Sequence, residues 1–368
     1  MKVDIPKPKK ENYHALITRC MNFYMKLKQH LNINGYSDKK ANWIAGIYLL
    51  EILGGMDKHS NELENLNLSS SLKEEIDVLS AKFDISTNPR IFDLIVERLL
   101  QIQETKTVKN LNTGIYFTRL AEIELICLIS IIGLIPKDYF GLEKKNLIRF
   151  LFGEIPAESS EFECQDIKNF KNWLLSLHFL DPSCGSGAFL AGVIITVYRA
   201  LQKLDTVLGN TENSTNNAIF SYIGENIHGC DINKLALFST YLRVQNIIKF
   251  EILNHSLAES QELPRCLEKF KNNLHHGDFL TKHYQKDFDI ILGNPPYIRQ
   301  EGIEALGKSK KDYLQFIIDD IREAGLMISK INLMSDYYVY FFLKGISLLK
   351  PGGILTFITS NSWLQSKF

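Results

Sequence analysis

The chain has 368 residues, 45% of them hydrophobic and 23% charged, which gives it enough apolar material for about two domains and excludes wholesale disorder. Lys plus Arg and Asp plus Glu are both 42, so no global basic surplus marks it as a stand-alone nucleic-acid binder; only a local basic cleft would serve that role. The six cysteines, Cys20, Cys127, Cys164, Cys184, Cys230 and Cys266, include no C-x-x-C pair, which argues against a zinc or redox site and fits a reducing cytosol.

In chain order, Met1 to Lys10 is polar and contains Pro6 and Pro8, unlike a signal peptide. From about Glu11 to Val108 the pattern is helical. Tyr13, Leu16, Ile17 and Cys20 share a face, and Ala41 to Leu53 and Ile91 to Ile102 read similarly, with Gly54-Gly55 and Asn88-Pro89 as breaks. A helical N-terminal domain is expected over residues 1–109, for packing or partner docking. It carries no endonuclease pattern of spaced acidic residues. Leu125 to Ile135 is the longest apolar run, well short of the roughly 20 residues that span a bilayer; it predicts a buried helix, and the chain is expected to be cytoplasmic with no membrane partner.

Beyond this the pattern alternates. Apolar runs at Leu177 to Leu180, Ile227 to Cys230, Phe288 to Leu292 and Ile354 to Ile358 predict strands. Gly187 to Leu204, Lys234 to Phe250 and Tyr337 to Leu349 predict helices between them. Such alternation predicts an α/β domain built on a parallel sheet, with ligands at the carboxyl ends of its strands. Gly209 to Asn217, rich in Asn, Thr and Ser, and Arg299 to Lys311, with Lys308, Lys310 and Lys311, read as loops; the second suits contact with DNA phosphate.

The polar residues cluster at those strand ends. Asp181-Pro182-Ser183-Cys184-Gly185-Ser186-Gly187 leads from strand to helix. Its glycines permit positive φ and close approach of a ligand, and the helix start offers free N–H groups. Asp231, followed by Ile232, can accept hydrogen bonds from ribose hydroxyls. Asp278 can accept from an adenine amino group, and Phe279 can pack on the ring. The most informative stretch is Asn294-Pro295-Pro296-Tyr297, at the end of a buried strand. The prolines fix a rigid turn. The Asn294 side-chain carbonyl and the Pro295 backbone carbonyl are two acceptors suited to an aromatic exocyclic amine, and Tyr297 offers a ring face for stacking an extruded base.

With these motifs in view, the chain resembles the amino-group DNA methyltransferases of restriction–modification systems, adenine-N6 branch, in the class whose cofactor motifs precede Asn-Pro-Pro-Tyr. The resemblance runs from about Asn110 to Trp363. It implies a Rossmann-like S-adenosylmethionine-dependent methyltransferase sheet in a catalytic domain over residues 110–368. The family's upstream motif resembles Thr113-Gly114-Ile115-Tyr116-Phe117-Thr118, which implies a cofactor-side role for Thr118, although Arg119 stands where a proline is usual. The same resemblance implies cofactor roles for Asp181, Pro182, Ser183, Cys184, Gly185, Gly187, Asp231, Ile232, Asp278 and Phe279. It implies roles toward the target amine for Asn294, Pro295, Pro296 and Tyr297, with no metal. Asp336-Tyr337-Tyr338, Phe341, Leu349 to Gly353 and Thr359 to Leu364 resemble the later helix and strand. The family continues past the position of Phe368 with a closing hairpin, a second base-stacking aromatic and a recognition domain. The expectation is therefore a sheet incomplete at its C-terminal edge, acting on double-stranded DNA with the adenine flipped out, and with a second polypeptide carrying the recognition domain. Two alternatives remain: a non-catalytic cofactor-binding subunit, or an amine methyltransferase acting on RNA or protein glutamine.

Overall fold

The computed structural model describes residues 10–53, 68–74, 95–96, 98–100, 118, 120–135, 138–139, 142–152, 163–253, 262–284, 287–298, 303, 309–327 and 336–359. The expected features at 54–55, 88–89, 113–117, 119, 308 and 360–364 lie outside them. The chain divides into two compact units, Met1–Lys109 and Asn110–Phe368. Among the described residues no helix is long and apolar enough to cross a membrane.

In the first unit, α1 (Lys10–Ile33) and α2 (Asp38–Leu53) form a helical pair. Cys20, Phe23, Tyr24, Leu27 and Leu31 recur at three- and four-residue spacing and are all buried, as are Ala41, Ile44, Ala45, Leu49 and Leu50 on the second helix. Gly35, at φ 88°, makes the turn between them. Tyr24 Oη donates to Asn42 at 3.0 Å, and Lys28 pairs with Asp38 at 2.7 Å.

The second unit begins, among the described residues, with α3 (Leu120–Leu134) and a short antiparallel pair, β1 (Asp138–Tyr139) and β2 (Leu142–Glu143). α4 (Lys144–Phe152) and α5 (Cys164–Ser176) follow. Then come β3 (Phe179–Asp181), α6 (Ala188–Leu208), α7 (Glu212–Asn226), β4 (Ile227–Asp231), α8 (Lys234–Ile247), α9 (Glu262–Asn272) and β5 (Leu274–His276). The unit ends with β6 (Phe288–Gly293), α10 (Lys310–Glu323), α11 (Tyr337–Ser347) and β7 (Leu349–Phe357). The last five strands form a parallel sheet in the order β5-β4-β3-β6-β7. The chain steps outward from β3 to β5, then returns to the other side of β3 for β6. The order therefore reverses between β3 and β6, which opens a crevice at their carboxyl ends.

Alternation along the strands divides the core. Phe179, Ile290 and Leu292 face a cluster with α3 to α9, while Leu180, Cys230 and Ile291 face one with α10 and α11. Ile290, Ile291 and Leu292 are fully buried, and each contributes roughly 1.5–3 kcal/mol by leaving water. At the foot of the sheet Asp289 accepts from the His178 backbone N–H at 2.8 Å and from Lys350 Nζ at 2.7 Å. Burial alone would raise its carboxyl, but these partners hold it at about 2. Buried ion pairs tie neighbouring helices: Lys171 with Asp205 at 2.5 Å, and Lys344 with Asp320.

Three expectations differ from the structure. The stretch expected as a loop over Gly209 to Asn217 is a loop only to Thr211, whose hydroxyl caps α7 by accepting from Ser214 N–H. Polar residues that favour turns also favour helix starts. Lys310 and Lys311 open α10 rather than closing a loop, because Ser309 and Asp312 form a capping box. The apolar run in α3 buries Ile123, Cys127 and Ile131, but Leu125 and Ile129 are exposed at 57% and 48%.

Candidate functional site

The end of β3 is held by its own backbone. Asp181 Oδ1 accepts from Ser183 N–H at 3.0 Å, and Gly187 N–H donates to the Cys184 carbonyl at 2.7 Å. Gly185 and Gly187 take φ 53° and 79°, values that L side chains adopt at a cost. At Gly187 a Cβ would also stand 2.7 Å from Thr240 Cγ2 and 3.0 Å from Thr240 Cα. α8 clamps this turn from outside: Thr240 Oγ1 donates to the Gly185 carbonyl at 2.9 Å, and Arg243 Nε to the Ser186 carbonyl at 2.7 Å. Neither Thr240 nor Arg243 stood out in the sequence; only their helical spacing from Asn233, the N-cap of α8, points to the turn.

Asp181 is 1% exposed. Burial, opposed by the Ser183 N–H and reinforced by Asp231, raises its carboxyl to about 8. Its Oδ2 and the Ser183 hydroxyl are buried without a hydrogen-bond partner among the described residues. Buried polar atoms of this kind are costly unless satisfied, and here they border the crevice. Pro182 and Cys184 are buried beside them. Burial raises the Cys184 thiol far above its ordinary value, so it packs and does not react.

β4 and β5 supply the next wall. Asp231 accepts from Gly185 N–H at 2.9 Å through one carboxylate oxygen and from Asn233 N–H at 2.8 Å through the other. Each oxygen keeps a further lone pair. Ile232 follows it with 72% exposure, an apolar side chain open at the strand end. Gly277 N–H donates to the Asp231 carbonyl at 3.0 Å, which joins the two strand ends. Asp278 accepts from Leu280 N–H at 3.0 Å. Phe279 differs from expectation. It is 1% exposed, and its ring packs on Phe341 at 5.2 Å and on Tyr284 at 5.8 Å. It backs the wall as core, and Ile232 is the apolar side chain left open there.

Across the crevice stands the turn after β6. Gly293 fits directly against Asp181; a Cβ there would lie 2.6 Å from Asp181 Oδ1. Asn294 Nδ2 donates to Thr118 Oγ1 at 3.2 Å. Pro295 is buried, and Pro296 and Tyr297 are half-buried. The turn is fixed by backbone bonds on three sides. Ile298 N–H donates to the Pro296 carbonyl at 3.1 Å, Tyr337 N–H to the Ile298 carbonyl at 3.0 Å, and Ile358 N–H to the Gly293 carbonyl at 3.0 Å. The structure thus brings Asp181, Gly293 and Asn294 to one place, with Thr118 touching the Asn294 amide. Asp231, Ile232 and Asp278 line the wall that continues from Gly185.

Comparison with known proteins bears on this arrangement. Residues 225–368 match the family described as Eco57I restriction-modification methylase. The Type II methyltransferase M.PaeR7I of Pseudomonas aeruginosa is 26% identical over 194 residues, 51% of this chain and 28% of that protein. M.BstVI of Geobacillus stearothermophilus is 27% identical over 209 residues, 55% of this chain and 31% of that protein. A release factor glutamine methyltransferase of Clostridium acetobutylicum is 34% identical over 86 residues, 23% of this chain and 27% of that protein. The match therefore spans less than a third of each relative's own length. Among solved structures, the Type IIL restriction-modification enzyme MmeI in complex with DNA aligns with TM-score 0.51 and 13% identity, over 90% of this chain and 48% of that one. The DrdV–DNA complex aligns with TM-score 0.50 and 12% identity, over 98% of this chain and 37% of that one. At such identities the likeness speaks for the fold alone.

Proposed function

We infer that this chain, a Rossmann-like methyltransferase of the restriction–modification type by its fold and family match, transfers a methyl group from S-adenosylmethionine to the N6 of adenine in DNA. Fold and family imply that cofactor, and the crevice fits it. The buried carboxylate oxygen of Asp181 and the Ser183 hydroxyl suit the polar methionine end. Asp231 suits the ribose, and Ile232 and Asp278 the adenine. When bound, the cofactor supplies an electrophilic methyl group on sulfur.

One observation carries the choice of an amine as acceptor. Asn294 Nδ2 donates to Thr118 Oγ1, which fixes the orientation of the amide and makes its buried Oδ1 the acceptor end. An exocyclic amine is a weak nucleophile because its lone pair is delocalised into the ring. The Asn294 carbonyl, with the Pro295 backbone carbonyl beside it, would hold the amine hydrogens and favour tetrahedral nitrogen. No ionised base is needed before attack, and the surplus proton leaves the methylated nitrogen for water. Rate then comes from positioning and electrostatics. Pro296 keeps the turn rigid, and Tyr297 would stack on the flipped base, worth roughly 1–3 kcal/mol, against the few kcal/mol of extrusion. Much of the length of the Type II relatives lies outside the match, which leaves room for a target-recognition segment beyond the matched region.

The glutamine methyltransferase match supports a second reading, in which the same turn holds a glutamine amide. The full chain, given tritium-labelled cofactor with duplex DNA, RNA or a glutamine-bearing peptide, separates them. Label in N6-methyladenine from DNA supports the first reading, and label in the peptide the second. Bound cofactor with no label in any substrate supports a non-catalytic subunit.

A further inference from the structure

One helix grips the outer side of the turn after β3 at two consecutive residues. Thr240 and Arg243 stand three positions apart on α8 and so share a face of it. Thr240 is fully buried. Its Oγ1 donates to the Gly185 carbonyl at 2.9 Å. The Arg243 guanidinium meets the next residue twice: Nε donates to the Ser186 carbonyl at 2.7 Å, and Nη2 to the Ser186 hydroxyl at 3.1 Å. A planar fork of this kind fixes orientation as well as distance. α8 is also tied to the turn's other partner. The N–H of its N-cap, Asn233, donates to Asp231 at 2.8 Å, and Asp231 accepts from Gly185 N–H at 2.9 Å. Turn, Asp231 and α8 thus close a ring of hydrogen bonds, in which Gly185 is held at both its N–H and its carbonyl.

A planar trans peptide sets its N–H opposite its carbonyl. With the Gly185 and Ser186 carbonyls drawn toward α8, the N–H groups of Ser186 and Gly187 point away from it. The Gly187 N–H closes on the Cys184 carbonyl at 2.7 Å. The Ser186 N–H is a fixed donor on the same short turn as the buried Ser183 hydroxyl, and such donors suit a carboxylate. We propose that Arg243, together with Thr240, is a positioning residue for the amino-acid end of the cofactor, holding the turn so that its donors meet the ligand's carboxylate. The proposal rests on the reading of this turn as the seat of the methionine end, so its test must separate the two.

The ligands are S-adenosylhomocysteine and 5′-methylthioadenosine, which keeps the adenosine and the sulfur but lacks the carboxylate and the amine. Dissociation constants are measured by calorimetry on the full chain and on the variants Ser183→Ala, Arg243→Met, Arg243→Lys, Thr240→Val and Thr240→Ser, with thermal melts to confirm folding. Ser183→Ala should cut the preference for S-adenosylhomocysteine about tenfold, as loss of a hydrogen bond to a charged group does. Arg243→Met should weaken that ligand about tenfold and leave methylthioadenosine within about twofold. Arg243→Lys should recover only part of the loss, because an ammonium lacks the fork that meets both Ser186 acceptors. Thr240→Val should act in the same direction but more weakly, with recovery in Thr240→Ser, and it serves as the probe if Arg243→Met does not fold. A general loosening of the turn would release Asp231 as well and weaken both ligands alike. If Ser183→Ala cuts the preference while Arg243→Met changes nothing or weakens both ligands equally, the positioning role is overturned and the reading of the turn survives. Full recovery by Arg243→Lys also overturns it, since charge alone would then suffice. If Ser183→Ala and Arg243→Met both leave the preference intact, the reading of the turn fails and the proposal with it.

Discussion

The turns after β3 and β6 face each other across the crevice but are built on opposite plans. The β3 turn is tied to its own backbone through Ser183 N–H on Asp181, to the next strand through Gly185 N–H on Asp231, and to α8 through Thr240 and Arg243. It is a preformed cradle whose donors and acceptors are already aimed. The β6 turn is held by distant parts of the chain: Thr118 on the Asn294 amide, Tyr337 on Ile298, and Ile358 on Gly293. A site that must hold one ligand the same way every time is well served by a turn braced by the adjoining strand and helix. A site that must admit a bulky base is better served by a rigid turn steered from several elements. The contrast predicts that damage to the first turn appears in cofactor binding and damage to the second in rate.

The largest effect is expected at Asn294. Asn294→Ala should lower methyl transfer by roughly 10²–10³-fold, as loss of one preorganised transition-state contact does, with cofactor affinity nearly unchanged. Single-turnover kinetics beside a binding titration would check both halves. Next is Gly187→Ala. Its left-handed backbone and the contact with Thr240 Cα leave no relaxed placement for a methyl group, so roughly 1–3 kcal/mol of stability should be lost and cofactor affinity should fall. Denaturant melts with and without ligand would show it. Smaller again is Thr118→Val, which removes the acceptor of the Asn294 amide. About tenfold slower transfer is expected, restored by Thr118→Ser; weaker cofactor binding at unchanged rate would instead support the cofactor-side role that the family resemblance implies for Thr118.

The subtlest test concerns Asp181. Its carboxyl rises from the ordinary 3.8 to about 8 on folding. Between these values the folded chain holds a proton that the unfolded chain has lost, so stability is greatest at the acid end and falls as pH rises through about 8. Thermal melts of the ligand-free chain should therefore decline from about pH 5 to pH 8, and Asp181→Asn should flatten that decline. An equally steep decline in the variant would assign it to another group.

How far the sequence led depends on how local each feature is. The apolar runs of β4 and β6, and the glycines after β3, declare themselves within a few residues. β5 does not. Leu274 and His275 are only partly buried and His276 is exposed, and the three make no apolar run. The strand expected from Ile354 begins earlier, at Leu349, and passes through Pro351 and the glycines after it; among the described residues it pairs only with β6, so Pro351 costs it little. Phe279 reads as a ligand-facing ring beside an acid, but Phe341 and Tyr284 claim it for the core. The partners that steer the turn after β6 are farther still. Thr118 reaches Asn294 across 176 positions, and no pattern within either stretch encodes that meeting.

The division of labour between the two turns can be measured directly by titrating S-adenosylhomocysteine into the full chain and into the Asp231→Asn and Asn294→Ala variants. The account predicts tight binding to the unaltered chain, about tenfold or greater weakening with Asp231→Asn, and no more than about a twofold change with Asn294→Ala. Equal weakening by both, or binding that ignores Asp231, would contradict it.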